Sequence, residues 1–263
     1  MNILMTTLVS IYTALVVLLL LGVHGCDGSL DEDHPMSAEM LEKEDSESEK
    51  ELPVVKEKFK ADIVMCIDCT SSMSSIIDAI KANALDIYPD LKRQCRLNGK
   101  VVNSMRIRVI GFRDFDDVRP FEASRFFSMP DEEDEFKSFV SRLLPVGGGD
   151  DFERGYDALG MAIMSDWYDE PDVHQVIIIW TDSGTHKLSP MSPGPKSMDE
   201  LSSLWKKRMN ADGKRLIVFA PNDRSWTAIT DHWDKTVMHS TNLGGGLSDV
   251  DYEEILETLS ESM

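Results

Sequence analysis

Residues 61–72 run Ala-Asp-Ile-Val-Met-Cys-Ile-Asp-Cys-Thr-Ser-Ser. The first seven form a short apolar run, the pattern of a strand buried on both faces. The run breaks at Asp68 into hydroxyl side chains. Beyond it, Ile76, Ile77, Ile80, Ala84 and Ile87 recur at helical spacing, which predicts a helix over 72–88, ended or kinked by Pro89. A buried strand that feeds directly into a helix is the building unit of a parallel sheet.

Working outward, the alternation continues to the end of the chain. Strands are expected over 106–112 (RIRVIGF), 125–129, 175–181 (QVIIIWT), 216–220 (LIVFA) and 236–239. The run at 175–181 is the most apolar and belongs at the centre, and 236–239 at an edge. Helices are expected over 132–144, 151–164, 201–209 and 249–259, the last opened by a capping box of Ser248 and Asp251. The fold class that follows is α/β: a Rossmann-like, six-stranded, mostly parallel sheet with helices on both faces. Open sheets of this kind bind ligands beyond the carboxyl ends of their strands, where the strand order reverses.

Acids and hydroxyls collect at those ends. The first strand ends in Asp68-Cys69-Thr70-Ser71-Ser72, the second in Gly111-Phe112-Arg113-Asp114, and the most apolar one in Thr181-Asp182-Ser183-Gly184. A glycine run, Gly147-Gly148-Gly149, leads into Asp150 and Asp151. Gathered carboxylates stay ionised together only beside a cation or basic partners, and a hard divalent ion prefers oxygen ligands. The spacing Asp68-x-Thr70-x-Ser72 spans a strand-to-helix turn, where oxygens at i, i+2 and i+4 can converge.

At this point the sequence resembles von Willebrand factor A-type domains. Their metal-ion-dependent adhesion site (MIDAS) carries the pattern D-x-S-x-S after the first strand, a Thr from a later loop and an Asp after the fourth strand. Asp68, Thr70 and Ser72 match the first element, with Thr70 in place of the commoner Ser, and Asp182 matches the last. The pattern places Asp150 where the loop Thr lies. Gly111–Asp114 (GFRD) and Gly147–Glu153 (GGGDxxE) resemble a bacterial branch of the family, and the likeness covers roughly residues 58–263. It implies a divalent cation held by Asp68, Thr70, Ser72, Asp150 and Asp182, with Mg²⁺ first and Ca²⁺ or Mn²⁺ as alternatives. It implies a protein or glycan partner, reached through an acidic side chain on the metal. Asp150 adds a negative charge, which makes the metal less electrophilic toward such a ligand and favours tighter holding, or Ca²⁺. An envelope scaffold with a structural metal is the alternative.

Enzymatic readings fit less well. A dehalogenase-type phosphatase needs D-x-D-x-T, and its nucleophile would fall at Cys66, where no carboxylate stands. Cys66 and Cys69 have C-x-x-C spacing, but Cys66 lies inside the buried strand, which favours a small apolar role. The glycine run lacks a following P-loop Lys, and Asp150 and Asp151 would repel phosphate. Ser183 and His186 lie near Asp182 without a G-x-S-x-G elbow. Arg113 and Asp114 are read either as an ion pair beside the site or as binding residues. Trp180, Trp205, Trp226 and Trp233 are read as packing residues.

The bulk composition sets the partners. The 263 residues carry a formal net charge of −20, which repels nucleic acid and anionic lipid. Residues 27–51 hold eleven acids against two lysines and few apolar residues, so 27–55 reads as a solvated linker. Before it, residues 1–23 have no charged side chain, and 11–21 are strongly apolar. Val23-His24-Gly25-Cys26 then resembles a bacterial lipobox. The expected organisation is a signal or lipoprotein leader over 1–26, the linker over 27–55 and the domain over 56–263. Simple cleavage and a retained membrane span remain alternatives to lipidation of Cys26. All three place the domain outside the cytoplasm, at a bacterial cell envelope, touching the membrane only through its N-terminus. Four cysteines are too few for a disulfide scaffold in a chain of this length.

Overall fold

The structure is a computed structural model that describes residues 57–82, 86–148, 152–209, 212–242 and 252–263. The expected leader and linker, Asp150, and the capping pair Ser248 and Asp251 lie outside the described residues. In chain order the elements are β1 (Glu57–Asp68), a 3-10 turn (Ser71–Met73), α1 (Ser74–Ala82), α2 (Ile87–Leu97), β2 (Lys100–Phe112), β3 (Phe121–Ala123), β4 (Phe127–Met129) and α3 (Glu133–Ser141). They continue with β5 (Phe152–Glu153), α4 (Gly155–Ile163), β6 (Val173–Trp180), β7 (Gly184–Thr185), α5 (Met198–Arg208), β8 (Lys214–Pro221), α6 (Arg224–Thr230), β9 (Thr236–Thr241) and α7 (Tyr252–Ser262).

The main sheet has the order β3-β2-β1-β6-β8-β9, and β4 pairs with β2 as well. β1, β2, β6, β8 and β9 run parallel, while β3 and β4 run antiparallel to β2. Successive residues of each central strand face opposite sides, as a two-residue period requires. Ile63, Met65, Ile67, Ile178 and Trp180 pack under α1, α2, α3 and α7. Val64, Cys66, Ile177, Ile179 and Val218 pack under α4, α5 and α6. Both faces are therefore covered, and the strands read as continuous apolar runs for that reason. Trp180, Trp205, Trp226 and Trp233 are all buried among them.

Four details differ from the sequence expectation. The sheet has seven strands, not six: β4 lies within the segment expected over 125–129, and β3, over 121–123, is an additional strand. Residues 124–126 oppose only Arg108 and Val109, so the pairing is interrupted by a bulge. There Ser124 exchanges bonds with Val109: its N–H donates to Val109 O and its hydroxyl accepts from Val109 N, each at 2.9 Å. The helix expected over 72–88 is α1, and a separate helix, α2, contains Pro89. Pro89 occupies the first turn of α2, where a backbone N–H has no intrahelical partner to lose. β2 begins at Lys100 rather than 106, and α4 begins at Gly155 rather than 151. Phe152 and Glu153 are instead held in parallel pairing with Gly184 and Thr185 of β7.

β1 leads to β2 on one side, and the chain later returns to place β6 on the other. The strand order thus reverses between β1 and β6, and the crevice beyond their carboxyl ends is where such sheets hold ligands.

Candidate metal centre

Asp68 is the last residue of β1 and Asp182 lies two residues past β6, so the reversal brings the two carboxylates to one crevice. The chain turns back over Asp68. Its Oδ1 accepts from Thr70 N at 2.9 Å and from Thr70 Oγ1 at 2.7 Å, a turn that Asp favours. Its Oδ2 accepts from Thr181 Oγ1 at 2.7 Å. Thr70 Oγ1 lies 3.3 Å from Ser72 Oγ, and Ser72 Oγ donates to Asp182 Oδ1 at 3.0 Å. Four of the five expected ligands, Asp68, Thr70, Ser72 and Asp182, are therefore joined in one chain of hydrogen bonds. The fifth, Asp150, lies outside the described residues.

Asp68 and Asp182 are both 0% exposed, Thr70 is buried, and Ser72 is exposed at the mouth. Burial pushes the Asp68 carboxyl up to about 6, hydrogen bonds from Thr181 and Thr70 oppose this, and the Asp182 charge adds to it. The partners of Asp68 are neutral donors, with no lysine or arginine bonded to it among the described residues. Its negative charge at neutral pH is thus buried beside a second carboxylate, an arrangement a cation relieves. The described ligand atoms are oxygens, two carboxylate groups and two hydroxyls, which suits a hard divalent ion and not a thiolate-seeking one. Among the described residues no three His, Cys, Asp or Glu side chains are grouped to hold a metal ion. The described part of the site has two carboxylates and makes up its set with hydroxyls.

The glycine loop comes to the same place. Gly147 and Gly148 have φ of +88° and +92°, a region that side chains other than glycine rarely adopt. A Cβ on Gly148 would stand 3.3 Å from Thr70 Cβ, and the Gly147 carbonyl accepts from Ser71 N at 3.3 Å and Ser71 Oγ at 3.0 Å. On the far side of Asp150, β5 pairs with β7, two residues past Asp182. The described part of the loop is shaped backbone against the Asp68 turn.

Arg113 and Asp114 are not paired with one another. Arg113, 2% exposed, donates to the carbonyls of Cys69, Val146, Arg119 and Leu144 and to Glu122 Oε1. One guanidinium so fixes the Asp68 turn, the approach to the glycine loop and β3. Asp114 accepts from Arg154 Nε at 3.1 Å and stands 3.6 Å from His186 Nε2. His186 is therefore turned toward Asp114. Cys66 and Cys69 belong to opposite faces of the sheet, and burial pushes each thiol up to about 12. That fits the apolar role and not a redox pair.

Two residues that serve the site are missing from the expected ligand set. Thr181, next to Asp182, holds Asp68 Oδ2, and its position one residue beyond the central strand was the available signal. The loop-tying role of Arg113 has no signal in sequence spacing, since its partners come from separated segments.

No protein-family model matches the sequence, and a search of curated proteins finds no match. Among solved structures, a von Willebrand factor type A protein from Catenulispora acidiphila matches with 14% identity and a TM-score of 0.47, over 78% of this chain and 43% of that one. The pilus adhesin SpaC from Lactobacillus rhamnosus GG, in its open conformation, matches with 12% identity and a TM-score of 0.49, over 77% and 30%. Proximal thread matrix protein 1 from the mussel byssus, with a zinc-occupied MIDAS motif, matches with 16% identity and a TM-score of 0.39, over 76% and 46%. The chain spans less than half the length of each of these proteins. With strand order β3-β2-β1-β6-β8-β9, an antiparallel edge, and the Asp68-x-Thr70-x-Ser72 turn meeting Asp182 at the reversal point, this chain has a Rossmann-like α/β fold.

Proposed function

We propose that the domain is a binding module that holds one divalent cation with Asp68, Thr70, Ser72, Asp150 and Asp182, and presents it to a protein partner outside the cytoplasm. One observation carries this reading: two fully buried carboxylates from different strands share a hydroxyl-bridged crevice at the strand-order reversal. Among the described residues nothing basic is bonded to Asp68 there. When bound, the ion would supply an electrophilic position that an acidic side chain of the partner can occupy. The chain's own residues do the preparatory work. Asp68 and Asp182 supply charge, Thr70 and Ser72 supply neutral oxygens, and Thr181 fixes the second oxygen of Asp68. Exposed Ser72 marks the side from which a partner reaches the ion.

The same contacts support binding without turnover. The Thr70 and Ser72 hydroxyls donate to carboxylates, and His186 faces Asp114, so neither hydroxyl is paired with a histidine base. The extracytoplasmic placement rests on the apolar leader and on Cys26. Isothermal titration with Mg²⁺, Ca²⁺ and Mn²⁺ tests the reading. Saturable binding to the wild type, lost in Asp68→Ala with Asp182→Ala, supports it. Absence of binding, or binding unchanged in the double variant, removes it.

A further inference from the structure

A second feature opens at the same edge of the sheet. A cavity of about 790 Å³, within the roughly 300–1,000 Å³ of ligand pockets, lies among β5, β7 and the starts of α4, α5 and α6. It reaches Thr185, three residues from Asp182, and Trp226 of α6 ties the intervening turn by donating to the Ser183 carbonyl at 3.0 Å. Phe152, Leu188 and Met198 give it apolar walls, and Phe152 is 41% exposed. Around them stand the exposed cations Lys187, Lys196 and Arg224. Among the described residues one carboxylate lines the cavity, that of Asp223, and it is engaged as the cap of α6, accepting from Ser225 N at 2.7 Å and from the Ser225 hydroxyl. The described lining thus has three cations against one acid, +2 with histidine neutral, in a chain of −20.

Such a local reversal of sign selects its ligand. Basic or neutral partners meet repulsion or no attraction there, and an anionic membrane surface is repelled by the chain as a whole. Apolar walls inside a cationic rim match an apolar side chain flanked by carboxylates. Lys196 already gives one hydrogen to the Ser192 carbonyl, and an ammonium group has three. We propose that this cavity docks an acidic peptide segment, seating an apolar side chain on Phe152, Leu188 and Met198 and its flanking carboxylates on Lys187, Lys196 and Arg224. The contact requires no metal, so it goes beyond the cation reading and stands apart from it.

The test uses the purified full chain and dye-labelled synthetic peptides, followed by fluorescence anisotropy in a chelator. The probe alternates Glu with Leu, and its counterparts alternate Lys with Leu and Glu with Ser. The expected result is saturable binding of the Glu–Leu peptide alone, unchanged by chelator. It should weaken at least tenfold in Lys187→Glu with Arg224→Glu and again in Met198→Asp. The charge changes lie on exposed side chains, and circular dichroism checks that each variant is folded. No saturable binding of the Glu–Leu peptide, equal binding of the Lys–Leu peptide, or undiminished binding in the charge-reversed variant overturns the proposal. So does saturable binding of a dye-labelled decanoate probe with no binding of the Glu–Leu peptide, which would assign the cavity to a fatty acid. Mg²⁺ calorimetry on the same variants reads the cation site separately, so either reading can fail without the other.

Discussion

Replacing Asp68 by asparagine should stabilise the metal-free protein at neutral pH while abolishing its response to divalent cations. The carboxylate is fully buried, and burial, with Asp182 adding to it, pushes its pKa up to about 6 from an ordinary 3.8. The folded protein therefore binds this proton more tightly than the unfolded chain does. The resulting stability is present in full below about pH 4 and is lost as pH rises through about 6. At about 1.4 kcal/mol per pKa unit, the ionised group costs the metal-free fold about 3 kcal/mol at pH 7.5. Asparagine keeps an oxygen to accept from Thr70 and does not ionise. In chelator at pH 7.5, urea denaturation should place the variant about 3 kcal/mol above the wild type, or roughly 6–12 °C in melting temperature for a domain of this size. At pH 4 the two should coincide. With Mg²⁺ at about 100 times its Kd, the wild type should gain about 2.7 kcal/mol and close most of the gap, with no gain in the variant. A variant no more stable than the wild type in chelator at pH 7.5 would refute the reasoning, because the Asp68 charge would then be relieved by some means other than a cation.

Four shorter expectations accompany it. The rise in melting temperature caused by Mg²⁺ should be large at pH 7.5 and shrink by pH 5, as a proton competes for Asp68 around pH 6; a pH-independent rise would separate the ion from Asp68. Thr181→Val removes the donor 2.7 Å from Asp68 Oδ2 and should weaken Mg²⁺ binding by about 10- to 100-fold in calorimetry. Gly147→Ala forces a side chain into φ +88° with its Cβ 2.2 Å from Asp117 Oδ1, and should lower unfolding free energy by about 1–3 kcal/mol in urea. Arg113→Met leaves Glu122 and several loop carbonyls without their buried donor and should destabilise the fold by about 3–5 kcal/mol.

What the sequence reveals and what it hides divide along physical lines. The central strands were legible because burial on both faces writes a continuous apolar run, as in Val176–Trp180. Asp68, Thr70, Ser72 and Asp182 were legible because a strand that ends in acids and hydroxyls puts them at the edge where ligands bind. The beginning of β2 was not, since Asn103 and Ser104 are exposed there and interrupt the apolar pattern. α2 was hidden by Pro89, whose meaning depends on whether it stands in the first turn of a helix or beyond the last. The split between β3 and β4 depends on which partner Ser124 finds on β2. The work of Arg113 is tertiary throughout, for Cys69, Arg119 and Leu144 meet only after folding. The basic cavity escaped for the same reason, because Lys187, Lys196 and Arg224 lie on three separate segments of an acidic chain.

The central claim is that one divalent ion sits between the ends of β1 and β6. The most direct measurement is an anomalous difference map from crystals of the protein grown with Mn²⁺. The account predicts a single peak bounded by oxygens of Asp68, Thr70, Ser72 and Asp182, with Asp150 completing the set. A map without a peak there, or with Mn²⁺ held elsewhere by other side chains, would contradict it.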